Sequence, residues 1–304
     1  MKRVFIYLII VASAATIGTG VGFAGKKLFG PVNNIYDTSG LKIDAAQIVK
    51  KIDSYTGSKE KVDAFSTGEV LNYAMEKFRT CENCCSFTFG VANAKAPIVG
   101  NVPQAIRSCL IKNNDKYFEE SISKSSMVSL ANRMFQSGIE SNVDFYSSVG
   151  SIDILDNGAS SEYSESSVEE YSSNAYKEKF GKTLDEMFIY FISDDTILNS
   201  NIEKNDNGYV INVELDPISS TANYKNQMYN ISGLSGLPEF KNVNLAFTLS
   251  KELKLNKLSI NENYTAKKLG IDADTNGVID IYYYSDEYIK IPELNESVQY
   301  KKGE

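Results

Sequence analysis

The run Asp272-Ala-Asp274-Thr-Asn276-Gly277-Val-Ile-Asp280 holds the residue types and spacing best suited to chemistry in this 304-residue chain. Oxygen-bearing side chains stand at its positions 1, 3, 5 and 9 with Gly at 6, the spacing by which an EF-hand loop wraps one hard cation. Asp272, Asp274, Asn276 and Asp280 are therefore the candidate metal ligands, and calcium is the cofactor they would take. Position 12 departs from that pattern, being Tyr283 where a bidentate Glu belongs, and the flanks alternate as strands do. The competing reading is an acidic hairpin turn, since Asn-Gly between alternating segments is a strong hairpin signal.

Cys81, Cys84, Cys85 and Cys109 form the second group. Cys81-x-x-Cys84 is a usual zinc-ligand pair, but Cys85 adjoins it and Cys109 stands alone, whereas structural zinc sites use two separated pairs. Disulfides are the expected use in an exported domain, with free buried thiols or a metal or redox centre as the alternatives. Cys85 with Cys109 would tie two strands and Cys81 with Cys84 would close a local loop, and the pairing stays open. The chain has no His, which removes Ser-His-Asp and Cys-His catalysis, imidazole metal sites and a histidine pH switch. No nucleophile with its base can be named, so a catalytic role is not expected.

The elements around these residues begin with residues 4–25, an uncharged run between Lys2-Arg3 and Lys26-Lys27. As a helix it would span about 33 Å, enough to cross a bilayer. The denser apolar stretch 4–11 followed by Ala12-Ser13-Ala14 also fits a cleaved signal peptide. Either reading makes the membrane a partner and places the rest of the chain outside the cytoplasm, tethered by one pass or secreted. Gly20-Val-Gly22-Phe-Ala-Gly25 matches a dinucleotide fingerprint, but the run before it is too long for one strand and no second strand with its acidic residue follows. These glycines read as small residues of a membrane segment.

The chain divides into 1–27 as anchor or signal, 28–62 as a juxtamembrane linker with a short helix, and 63–304 as an extracytoplasmic domain. At 42% hydrophobic and 23% charged residues that domain can bury one sizeable core. A net charge of −8 with no basic cluster excludes nucleic acid as a partner.

Residues 43–52 place their apolar side chains on one helical face. Ser66-Thr-Gly-Glu69 is a capping box, after which Val70, Leu71, Ala74, Met75 and Phe78 repeat at helical spacing, predicting a helix over 66–78. Phe87, Phe89 and Val91 then alternate with small residues, predicting a strand with one buried face. Further strands are expected over 105–111, 117–122, 142–147, 151–155, 187–192, 209–215, 243–249 and 254–264, with a last pair meeting at Asn276-Gly277. Residues 127–135 are ambiguous, 156–173 read as a solvated Ser-, Glu- and Tyr-rich segment with a surface helix over 167–180, and 219–231 as a helix.

The expected fold is α+β: a curved antiparallel sheet packed against one or two helices. This element order, with the hairpin-rich stretch NLAFTLSKELKLNKLSINENYTAKK, resembles the LolA/LppX-like envelope lipoprotein-carrier folds over residues 65–300. In that fold a curved sheet wraps helices around an apolar cavity, so the resemblance implies binding of an apolar or lipid ligand at the cell envelope. No short motif carries a site residue across. The function expected is a non-catalytic binding module for such a ligand, and the rival is a scaffold that binds another envelope protein.

Overall fold

The computed structural model describes residues 43–97, 100–124, 133–140, 143–149, 166–172, 174–175, 192–219, 225, 235–268, 271–293, 296 and 298–302. The N-terminal run 4–25, residues 28–42 of the linker and the elements expected over 151–155 and 187–191 lie outside the described residues. So does nearly all of the helix expected over 219–231. Among the described residues no helix is long and apolar enough to cross a membrane.

Among the described residues three helices come first: α1 (Ala45–Asp53), α2 (Lys61–Ala64) and α3 (Thr67–Thr80). Asp44 caps α1 by accepting from the Gln47 amide at 2.9 Å. The capping box of α3 forms as its sequence requires: Ser66 Oγ accepts from Glu69 N while the Glu69 carboxylate accepts from Ser66 N. Ser66 also donates to Asp194, and the Gly68 amide donates to the same carboxylate at 2.8 Å. Ser66→Ala is therefore expected to cost about 1–2 kcal/mol, measured by urea denaturation, toward the upper end for lost helix caps.

Eleven strands follow among the described residues: β1 (Asn83–Ala96), β2 (Gly100–Asn113), β3 (Lys116–Lys124), β4 (Arg133–Glu140), β5 (Val143–Val149), β6 (Ser166–Tyr171), β7 (Ile197–Asn205), β8 (Gly208–Leu215), β9 (Glu239–Ser250), β10 (Leu255–Lys268) and β11 (Ile271–Ser285). They make one antiparallel sheet in the order β6-β5-β4-β3-β2-β1-β11-β10-β9-β8-β7. Each half is a meander of sequence neighbours, and the β1–β11 pairing joins them, from Cys84 opposite Ser285 to Lys95 opposite Asp274. Tight turns at Asn114-Asp115 and Asp206-Asn207 join β2 to β3 and β7 to β8, built from residue types suited to them. Gly208 is needed there, since at φ +145° any Cβ would strike the Leu249 carbonyl.

One face of the sheet, here the inner face, carries the helices. Val70, Leu71, Ala74, Met75 and Phe78 of α3 bury against Ile211, Phe247, Leu249, Leu255 and Leu258, alternate residues of β8, β9 and β10. Phe78 meets Tyr283 edge to face at 4.8 Å. The buried Asn72 amide both donates to the Ile192 carbonyl at 2.7 Å and accepts its N–H at 2.9 Å, fixing the approach to β7.

Three expectations are corrected. The pair of strands expected to meet at Asn276-Gly277 is one continuous strand, β11, hydrogen-bonded on both sides to β1 and β10. Residues 166–171 of the Ser- and Glu-rich segment form the edge strand β6 rather than a loop and the start of a helix, while 174–175 are helical and 176–180 lie outside the described residues. In β1 it is the small residues that face the helices, through Cys84, Ser86, Thr88, Gly90, Ala92 and Ala94. The aromatic side is covered on the outer face at Phe87, fully buried, and open at Val91, 50% exposed.

The outer-face cover is the C-terminal segment. The Asn113 side chain donates to the Ile289 carbonyl at 2.8 Å, and Val298 and Tyr300 pack on Cys85, Phe87, Cys109, Ile111 and Phe118. The Glu120 carboxylate, 1% exposed, accepts from Gln136 Nε2 at 2.8 Å, Tyr300 OH at 3.0 Å and the Val298 amide at 3.3 Å.

Candidate functional site

The inner face changes character along the strands. Near α3 it carries Leu, Ile and Phe; toward the other end of β10, β11 and β1 it carries Ala266, Ala273, Gly277, Gly90, Ala92 and Ala94. These residues are buried and their side chains are short; larger neighbours lean over the glycines, a Cβ at Gly90 standing 3.3 Å from the Ile279 side chain. The strands chose this floor through register: Ala92 sits opposite Gly277 and Ala94 opposite Thr275.

Polar side chains border the floor. Gln104 lies opposite Ala92 on β2, 1% exposed, and among the described residues neither its Nε2 nor its Oε1 has a hydrogen-bond partner. Glu262 lies opposite Gly277 on β10, also 1% exposed. Its side chain leans over the glycine: a Cβ there would stand 3.4 Å from Glu262 Cγ. Gln104, Ala92, Gly277 and Glu262 thus form one row across four strands, about 14 Å from end to end. Tyr264 and Thr275 face each other in the next row. Burial first, then the Glu262 charge, pushes the Tyr264 hydroxyl well above its usual pKa, with the Thr275 hydroxyl acting the other way.

Such a row can hold an apolar body over Ala and Gly and hydrogen-bond a polar group at its end. Sequence reading missed both ends of it, although the signal was there. In Val102-x-Gln104-x-Ile106 and in Ile260-x-Glu262-x-Tyr264, a polar residue occupies the buried phase of an alternating strand.

The candidate metal ligands are not brought together. Asp272, Asp274, Asn276 and Asp280 occupy alternate positions of the extended β11, and at about 3.3 Å per residue the first and last are about 26 Å apart. Asp274 accepts from Lys241 at 2.7 Å and from Thr265, Asp280 pairs with Lys257 at 3.0 Å, and Asp272 with Lys267 at 3.5 Å. Lys241 and Thr265 hold the Asp274 carboxyl below its ordinary pKa. Among the described residues no three His, Cys, Asp or Glu side chains converge as a metal site.

All four cysteines are free thiols in this structure. Cys85 lies opposite Ile111 and Cys109 opposite Phe87, so the two are diagonal rather than facing. The expected cross-strand tie is not formed, and neither is the local one between Cys81 and Cys84. Burial pushes the Cys84 and Cys85 thiols up to about 12 and the Cys109 thiol well up, while Cys81 is half-buried at the end of α3. A raised folded-state pKa contributes stability that is present below the ordinary thiol range and is lost as pH climbs through it. The fold is thus expected to weaken between about pH 9 and 12, and Cys84→Ala to flatten that decline. In the reduced protein at about pH 8 a thiol reagent should label Cys81 alone, and all four only after denaturation. In protein purified without reductant, no label even in denaturant would mean that the four cysteines are paired as two disulfides in solution.

No family model matches the chain. No curated protein matches it either. Among solved structures it is similar to a domain described as an outer membrane lipoprotein-sorting protein from Vibrio parahaemolyticus, at 12% identity and TM-score 0.23, covering 68% of this chain and 87% of that one. It is also similar to a LolA superfamily protein from Nitrosomonas europaea, at 10% identity and TM-score 0.22, covering 75% and 96%. The second bears the family name that the element order suggested. At such TM-scores the likeness carries no argument about the arrangement of strands or the ligand.

Proposed function

We infer that this chain is a non-catalytic binding module for an amphiphilic ligand, an apolar chain ending in a hydrogen-bonding group, held against the inner face. Residues 4–25 would attach it to the membrane or direct its secretion, with the sheet outside the cytoplasm. The observation that carries the reading is Gln104. A buried carboxamide left without partners costs about 1–3 kcal/mol, and a ligand carbonyl, hydroxyl or amide over the Ala92–Gly277 floor would recover that energy. The buried Ala and Gly residues beside it support an apolar body there, since they offer no polar side chain of their own.

The test is organic extraction and mass spectrometry of protein purified without detergent, together with titration by a fluorescent fatty acid. A lipid recovered with the protein, or saturable probe binding weakened by Ala92→Phe, is the expected result. No extractable lipid and no saturable binding would overturn the reading and leave the scaffold role at the cell envelope. Crosslinking to a single envelope protein would then be the measurement to make.

A further inference from the structure

We propose a second binding site, on the outer face of the sheet, for a neutral oligosaccharide. A groove of about 330 Å³ crosses β7 to β11 there, within the range of about 300–1,000 Å³ that ligand pockets occupy. It lies on the face opposite α3, because Asn212, Asn244 and Asn261 alternate with the inner-face residues Val213, Leu245 and Ile260. The bulge at Leu198 re-aims β7 at its rim and leaves Asn199 opposite Glu214.

Two neighbouring rows of carboxamides behave differently. In the row beside the groove, Asn276 Nδ2 donates to Asn263 Oδ1 at 2.8 Å and Asn263 Nδ2 donates to Asn242 Oδ1 at 2.6 Å, a closed ladder across three strands. In the groove itself Asn244 and Asn261 face each other in register, with Asn199 and Asn212 on the strands beyond, and among the described residues none of these four bonds to another side chain. The same residue type at the same spacing is therefore self-satisfied in one row and left open in the next.

The chemistry of the lining selects the ligand. Each carboxamide offers donors and an acceptor at one point, which matches a hydroxyl group acting in both senses. Ala246 and Val278 give an apolar floor between the amides, extended by Val91 opposite Val278, each valine half exposed. An alternation of polar points over an apolar strip fits the hydroxyl edges and C–H faces of a sugar ring. Glu214 is the charged residue of the lining, and with a net charge of −8 on the chain it disfavours an anionic polymer. Fixed open amides on paired strands also lose little freedom on binding, unlike groups on loops.

The experiment titrates the full chain with chitohexaose, cellohexaose and maltohexaose by calorimetry. At least one is expected to bind in the micromolar to millimolar range. Asn244→Ala/Asn261→Ala should weaken it about tenfold or more, the loss of two hydrogen bonds, with the melting temperature kept because both residues are exposed. Ala246→Glu, which raises a charge from the floor, should abolish binding, while Gln104→Leu on the other face should leave it unchanged. Failure of all three sugars to bind at millimolar concentration overturns the proposal, as does binding that the double variant and Ala246→Glu both leave intact.

Discussion

Glu120→Ala is expected to destabilise the protein by about 3–5 kcal/mol and to release the C-terminal segment from the outer face. The wild-type carboxylate is buried and accepts from Gln136, Tyr300 and the Val298 amide, so truncation leaves donors from two chain segments facing an apolar cavity. Tyr300 would be affected most: burial, with the Glu120 charge beside it, already holds its hydroxyl well above the usual pKa, and its ring packs on Phe87 and Phe89 at 5.8 and 6.0 Å. Urea denaturation reads the loss, and hydrogen exchange at Val298 reads the release. If the midpoint barely moves and Val298 stays protected, the aromatic contacts hold the segment alone. Glu120→Gln should fall between, since it keeps the volume but turns one acceptor into a donor among donors.

Gln104→Leu is expected to move two measurements in opposite directions. The ligand-free protein should gain about 1–3 kcal/mol, because leucine fills nearly the same volume without the unpartnered amide. Affinity for the amphiphile should fall about tenfold, the effect of a lost buried hydrogen bond. A merely structural glutamine would lose stability on this substitution, and a site made of shape alone would keep its affinity. Thermal melts with and without the fluorescent fatty acid separate these outcomes, since a bound ligand raises the melting temperature in proportion to its occupancy.

Local chemistry made much of the fold legible. The Ser66–Glu69 box starts α3 because its two hydrogen bonds involve neighbours in sequence, and the turns at Asn114 and Asp206 likewise need only their own residues. Where the outcome depended on distant strands, the sequence could not show it. Asn276-Gly277 reads as a hairpin turn until β1 and β10 are placed on either side. Asn276 then joins an amide ladder, and Gly277 gives way to the Glu262 side chain. Phe87 and Phe89 likewise read as the core face, but the C-terminal segment gives β1 a second covered face that no alternation encodes. The floor was half legible, since Gln104 and Glu262 break an apolar phase, while their shared row depends on four registers at once.

The joining of the two meanders through β1 and β11 also sets the order in which the chain can assemble during synthesis. Strands β1 to β6 pair with sequence neighbours and can form as they emerge, but the fourteen-residue β1 keeps one ladder of amides and carbonyls open until residues 271–285 arrive. Chains stopped before Ile271 would carry that open edge permanently and invite strand addition from another copy. Closing the sheet thus waits for β11, and the C-terminal segment that follows it then covers the outer face of β1.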